Sequence, residues 1–172
     1  SESYILPPKT SNKKTLVLDL DETLVHSQFL AFPFPSDVVI KISIENESHD
    51  IYILIRPGAK EFIKKMQKYY EIIMFTASVS KYASPIMDLI DEKKYCQHRL
   101  FRDHCTFINN SYVKDLKKLG RDLNDIIIVD NSPLAYSLNP ENGIPVSTWI
   151  GDKRDRELFN IILILKVLSE LM

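Results

Sequence analysis

The sequence predicts an α/β domain with a mainly parallel central sheet and a small β-hairpin or three-stranded insertion. Three observations carry this. Short apolar runs alternate along the chain with segments of helical period, the order that crossover connections produce. Three of those runs end in carboxylates and hydroxyls, as strands of an open sheet do where they border a site. After the first run comes a period-two stretch folded about a polar turn. The chain has 172 residues, which suits one domain with a sizeable core.

Residues 1–14 read as an irregular leader and residues 15–172 as one domain, with an insertion at about 28–56. The run 16–20 is short and apolar, consistent with a buried parallel strand that contains Asp19. An aromatic, proline-rich loop covers 29–35, after which Val38, Ile40, Ile42 and Ile44 alternate at period two. A turn around Asn46, Glu47 and Ser48 leads to a second alternation through Ile51, Ile53 and Ile55. Arg56-Pro57-Gly58 punctuates, and Pro57 suits the start of a helix carrying Phe62, Ile63, Met66, Tyr69 and Tyr70 at helical spacing. A second buried strand, 72–75, ends at Thr76. Residues 80–94 read as a helix interrupted by Pro85, and 100–108 as irregular or strand-like. Residues 114–119 read as a short helix closed by Gly120. A third strand, 126–129, runs into Asp130, and 144–149 reads as a fourth before a closing helix from about Asp155. No internal repeat or low-complexity stretch breaks the pattern.

Composition narrows the function. Hydrophobic residues make up 45% and charged residues 26%, and the formal net charge is -1, so nothing favours a nucleic-acid backbone or an anionic membrane as partner. Cys96 and Cys105 form no CxxC and have no zinc spacing with His26, His49, His98 or His104. They read as free thiols, a usage that fits a reducing compartment, nucleus or cytosol. Residues 1–11 are polar and carry Pro7 and Pro8, unlike a signal peptide. The apolar run 158–171 is too short and too polar to cross a bilayer, which needs about 20 apolar residues.

The chemistry gathers at the strand ends: Asp19 with Asp21 and Thr23, Thr76 with Ser78, and Asp130 with Asn131 and Ser132. Two acids two residues apart can divide the labour of phosphoryl transfer. One attacks phosphorus and the other passes a proton to the leaving alkoxide. Carboxylates held that close repel, so a cation is required, and Mg²⁺ fits because it binds through one or two carboxylates and keeps phosphate and water oxygens. Taken singly, each residue has a plainer reading: an acidic turn, a strand-end Thr76, a surface Lys114.

Together, Asp19-Leu20-Asp21-Glu22-Thr23-Leu24-Val25-His26-Ser27, Phe75-Thr76-Ala77-Ser78, Tyr112-Val113-Lys114-Asp115-Leu116 and Val129-Asp130-Asn131-Ser132-Pro133 resemble the four ordered motifs of the haloacid dehalogenase superfamily. They resemble in particular its small phosphatases that act on the C-terminal domain of RNA polymerase II. The resemblance implies a Rossmann-like three-layer sandwich without a large cap domain. It implies that Asp19 is the nucleophile and a Mg²⁺ ligand, and that Asp21 is the general acid and base with its main-chain carbonyl on the metal. Thr76 would hold a phosphate oxygen, Lys114 would neutralise charge, Asn131 would bind Mg²⁺, and Asp130 would support that ligand set. A substrate pocket is implied at Phe29, Ile42, Ile44, Ile51 and Val79, with Tyr82 and Arg102 nearby, to receive a proline-containing stretch beside a phosphoserine. Periodicity alone fits equally a hairpin core face at these positions. The expected protein is thus a monomeric Mg²⁺-dependent protein serine/threonine phosphatase, nuclear or cytoplasmic. The alternatives are a catalytically silent docking module on the same fold and a phosphatase for another phosphoprotein or a small molecule.

Overall fold

Strand β1 (Lys14–Leu18) is the hub around which the rest is laid, because every residue after Lys14 is buried and must find neighbours on both edges. The structure, a computed structural model, describes residues 3–171. After β1 the chain forms β2 (Val25–Gln28), β3 (Val38–Ile44) and β4 (Glu47–Ile55), then α1 (Ala59–Met66) and the wholly buried β5 (Tyr70–Phe75). Helix α2 (Ser80–Ile90) and three short strands follow, β6 (His98–Leu100), β7 (Thr106–Ile108) and β8 (Ser111–Val113). The chain closes with β9 (Ile126–Asp130), β10 (Gly143–Pro145) and α3 (Glu157–Glu170).

The main sheet is parallel throughout, in the order β10-β9-β1-β5-β6. Strand alternation sends Leu16 and Leu18 to one face, where they join Ile72, Met74 and the apolar sides of all three helices. Val17 goes to the other face with Ile73, Phe75, Ile126 and Ile128. Among the described residues no α-helix covers that side. Two 3-10 turns, Leu116–Leu119 and Pro133–Tyr136, supply Leu116, Leu119 and Tyr136, and Leu6 from the N-terminal residues completes the layer. The expected three layers are present, with the third made of turns. Residues 1 and 2 of the expected leader lie outside the described residues; residues 3–13 are irregular, yet they are stitched in: the Ile5 N–H donates to the Lys118 carbonyl at 2.9 Å.

The insertion folds as a separate antiparallel sheet, β2-β4-β3. Its turn is the two-residue loop Glu45-Asn46, with φ of 50° and 66°. That is one residue earlier than the polar cluster suggested, because Ile44 pairs with Glu47. Other boundaries shift for local reasons. Helix α2 carries Pro85 without breaking, but stops at Ile90, where the Asp91 carboxylate turns to accept the N–H groups of Tyr95 (2.8 Å) and Cys96 (3.0 Å). β10 ends at Pro145, with one further bond to β9 from the Val146 N–H to the Asp130 carbonyl at 3.2 Å. α3 begins at Glu157 because Asp155 is held outside it by Arg56. Gly58, at φ 83°, precedes α1 and packs against the Phe159 ring of α3, where a Cβ would not fit. No helix among the described residues is long and apolar enough to cross a membrane.

Candidate active site

β1 pairs with β5 on one edge and β9 on the other, so successive connections leave it in opposite directions. A crevice opens above its carboxyl end at such a switch point. Asp19 follows β1, Thr76 follows β5, and Asp130 ends β9 with Asn131 next. Lys114 arrives from the opposite face just after β8, its N–H donating to the Ala135 carbonyl at 2.7 Å. All of them line one cleft of about 230 Å³, together with Asp21 and Tyr112. The Lys114 Nζ donates to Asp19 Oδ1 at 2.9 Å and to Asp130 Oδ2 at 2.7 Å. The Thr23 hydroxyl donates to the other Asp19 oxygen at 2.9 Å. The nucleophile candidate is therefore fixed at both oxygens.

One buried ammonium thus serves two buried carboxylates. Burial disfavours the Lys114 charge, but the fields of Asp19 and Asp130 outweigh it and raise its pKa, so it stays protonated. Burial pushes the Asp130 carboxyl up to about 6, with Lys114 opposing. Asp21 lies across the cleft, its Oδ2 accepting from the Ser78 hydroxyl at 2.7 Å and the Thr76 hydroxyl at 3.2 Å. Burial raises its pKa against the pull of those bonds. A carboxyl that keeps its proton longer is suited to donate it.

The donor set fits Mg²⁺. One carboxamide atom of Asn131 sits 2.8 Å from Asp19 Oδ2 and 3.2 Å from the Asp21 carbonyl oxygen. As NH₂, it donates to both. As the oxygen, it lies about as far from each of two further hard oxygens as neighbours stand around an octahedral ion with bonds of about 2.0–2.1 Å. The other amide atom meets the Thr148 hydroxyl at 3.1 Å in either orientation. The cluster holds a single carboxylate side chain, and no group of three His, Cys, Asp or Glu that could hold a metal occurs among the described residues. Asp130, expected with the metal residues, stands apart from them. Its Oδ2 is taken by Lys114 and its Oδ1 accepts the Ser132 N–H at 2.9 Å, so it acts on the lysine.

A second pocket, of about 300 Å³, adjoins the cleft and shares Asp21 with it. Phe29, Ile51 and Tyr82 line it as expected, Phe29 standing edge-on between His49 and Tyr82 at centroid distances of 6.4 and 6.3 Å. Ile42 and Ile44 are not in its wall. Ile42 is buried in the main core and Ile44 packs against it, the hairpin-core reading that periodicity also allowed. Val79 caps the start of α2. Arg102 stands on the other side of the cleft, its Nε–H donating to the Ala77 carbonyl at 2.7 Å and its guanidinium 4.8 Å from the Tyr112 ring. The sequence reading missed Ala83 and Ile86, which complete the apolar wall, Ile86 standing four residues after Tyr82 on the same helix face. It also missed Thr148, a lone hydroxyl with no signal in the sequence, and the role of Arg56. An arginine directly after the apolar Ile53-Leu54-Ile55 was the available clue to a buried, paired charge.

Comparison with known proteins shows the family. Residues 14–172 match the model of the NLI interacting factor-like phosphatase family. The CTD small phosphatase-like protein 1 of Caenorhabditis elegans is 49% identical over 165 residues, covering 94% of this chain and 33% of that protein. Phosphatase PSR1 of Saccharomyces cerevisiae is 45% identical over 168 residues, covering 96% and 39%. The human carboxy-terminal domain RNA polymerase II polypeptide A small phosphatase 2 is 47% identical over 154 residues, covering 90% and 56%. This chain therefore spans between a third and just over half of these relatives. The fold is shared with Fcp1, an essential RNA polymerase II CTD phosphatase, at a TM-score of 0.66 and 21% identity over 92% of this chain and 51% of that one. With its four motifs folded into one cleft, the chain belongs to the NLI interacting factor-like phosphatase family.

Proposed function

We propose that this chain is a Mg²⁺-dependent protein serine/threonine phosphatase that works through an aspartyl-phosphate on Asp19. The observation that carries the reading is Lys114, buried between Asp19 and Asp130 with Asp21 facing them across the cleft. Asp19 attacks phosphorus in line with the serine oxygen, the P–O bond to serine breaks, and Asp21 gives its proton to the leaving alkoxide. Lys114 offsets the charge on the transferring group, and the Thr76 hydroxyl swings from Asp21 to a phosphate oxygen. Asp21, now a carboxylate, takes a proton from water, which attacks the acyl phosphate, frees inorganic phosphate and restores Asp19. Asp19, the Asp21 carbonyl and Asn131 would hold Mg²⁺, which when bound neutralises phosphate charge.

The substrate reading follows from access. The insertion is a three-stranded sheet with no cap over the cleft, so a side chain borne on a protein can enter, whereas a small metabolite would be poorly enclosed. The adjoining pocket of Phe29, Ile51, Tyr82 and Ile86 suits a proline-containing stretch, since apolar grooves take pre-ordered peptides at little entropic cost. Relatives named for the polymerase C-terminal domain support phosphoserine in such a repeat as the substrate class. The test is hydrolysis of an aryl phosphate and of Ser-Pro phosphopeptides with and without Mg²⁺. Wild type is expected to turn over both only with the metal, and to gain melting temperature with beryllium fluoride plus Mg²⁺. Full activity in Asp19→Asn would remove Asp19 from its role.

A further inference from the structure

Arg56 is among the largest fully buried side chains, and it sits where β4 ends, outside the four motifs. Its guanidinium reaches three segments at once. Nη1 donates to the Thr23 carbonyl and the Ser147 carbonyl, each at 3.1 Å. Nη2 donates to the Ser147 hydroxyl (3.0 Å), Asp155 Oδ2 (2.9 Å) and Glu157 Oε2 (3.0 Å), and Nε to Asp155 Oδ1 (2.8 Å). Glu157 in turn accepts the Ser147 N–H at 2.9 Å.

Two of the three segments it grips carry hydroxyls that touch the site. Thr23, held by its carbonyl, donates from Oγ1 to Asp19 at 2.9 Å and accepts the Asn131 N–H at 3.1 Å. Ser147 is held by carbonyl and hydroxyl, and the next residue, Thr148, contacts the Asn131 carboxamide at 3.1 Å. Asn131 is therefore flanked by two threonines, each one step from the same guanidinium. A lysine point charge could not replace this fork, because five N–H groups in one plane are needed to span the acceptors.

We infer that Arg56 is a positioning residue for the metal site: through Thr23 and Thr148 it fixes Asp19 and Asn131 in the geometry that binds Mg²⁺. The inference rests on the phosphatase reading and extends it to a residue outside the motifs. Residues behind metal ligands typically change metal affinity by about 10- to 100-fold when altered. Arg56→Lys should thus keep a folded chain but shift the Mg²⁺ midpoint upward by about tenfold. Thr148→Val should shift it in the same direction.

The midpoint is read without turnover, as the Mg²⁺ concentration that gives half the rise in melting temperature in excess beryllium fluoride, and compared with the Mg²⁺ dependence of aryl phosphate hydrolysis. Arg121→Lys is the control, because Arg121 is also buried and ion-paired but lies at the opposite end of β5. It should lower melting temperature and leave the midpoint alone. An Arg56→Lys protein that melts lower yet keeps the wild-type midpoint overturns the inference. If Arg56→Lys does not fold, an unchanged midpoint in Thr148→Val overturns it. A wild type with no Mg²⁺ response overturns the proposed reaction as well, whereas a responsive wild type with unmoved variants overturns only the role of Arg56.

Discussion

The two ends of the main sheet each bury a cation, and they use it in opposite ways. At the amino end, Arg121 faces Glu71 in a closed pair: Nε to Oε1 and Nη2 to Oε2, both 2.9 Å, with the Thr15 hydroxyl adding a third bond at 2.9 Å. Charge is balanced and the carboxylate oxygens are satisfied. At the carboxyl end, Lys114 divides itself between Asp19 and Asp130, with Asp21 nearby and no further cation in contact among the described residues. The first arrangement is complete as it stands. The second carries excess negative charge beside an open cleft, which is costly unless a cation and a phosphoryl group complete it. Burial also acts on the acids differently. Burial would raise Glu71, but the Arg121 and Thr15 bonds together carry it below the usual carboxylate range. Asp21 and Asp130 stay raised.

Four substitutions sharpen this contrast. Asp19→Asn should cost at least about a thousand-fold in phosphopeptide hydrolysis, as loss of a nucleophile does. It should leave the melting temperature near that of wild type, because Lys114 then faces a single charge. A parallel collapse of stability would mean that Asp19 is structural. Asp21→Asn should lower kcat by about 10²- to 10⁴-fold, the range of a lost general acid. In metal-free buffer it should melt no lower than wild type, since the amide replaces a carboxyl whose charge burial disfavours.

Arg121→Met should do the reverse, costing about 3 kcal/mol of stability through an unpaired buried Glu71, with turnover per folded molecule unchanged. Its pH signature follows from the sign of the shift. Glu71 has a lowered folded pKa, so its pairing stabilises the fold above the unfolded value of 4.5 and is lost as pH falls through the folded value. Wild type should shed that stability in acid and the variant should not, as measured by denaturant unfolding across pH. Equal slopes would refute the pairing account. The smallest effect is expected at the rim: Phe29→Ala should raise KM about tenfold for a Ser-Pro phosphopeptide, a loss near 1.4 kcal/mol, and spare aryl phosphate. Equal losses on both substrates would place Phe29 in the chemistry rather than in peptide binding.

Much of this could be read before any coordinates. The apolar runs ending in Asp19, Thr76 and Asp130 are local signals, and β1, β5 and β9 lie within two residues of where the runs place them at either end. Hairpin periodicity placed β3 and β4, although it could not say which of their isoleucines face the pocket. Ile42 and Ile51 have the same residue type and the same alternation. Both join the core, and only the docking of the insertion beside α2 lets Ile51 also line the pocket with Tyr82.

Residue order and hydrophobic period were enough to fix the α/β class, the strands β1, β5 and β9 and the polar residues at their carboxyl ends, because each depends on near neighbours in the chain. The sharing of Lys114 between two acids, the role of Asp130 and the grip of Arg56 were not. They join residues 95, 16 and 99 positions apart. A side chain's partner at such separations depends on how the layers pack and on which charges end up buried together, where low dielectric and lost hydration make pairing obligatory.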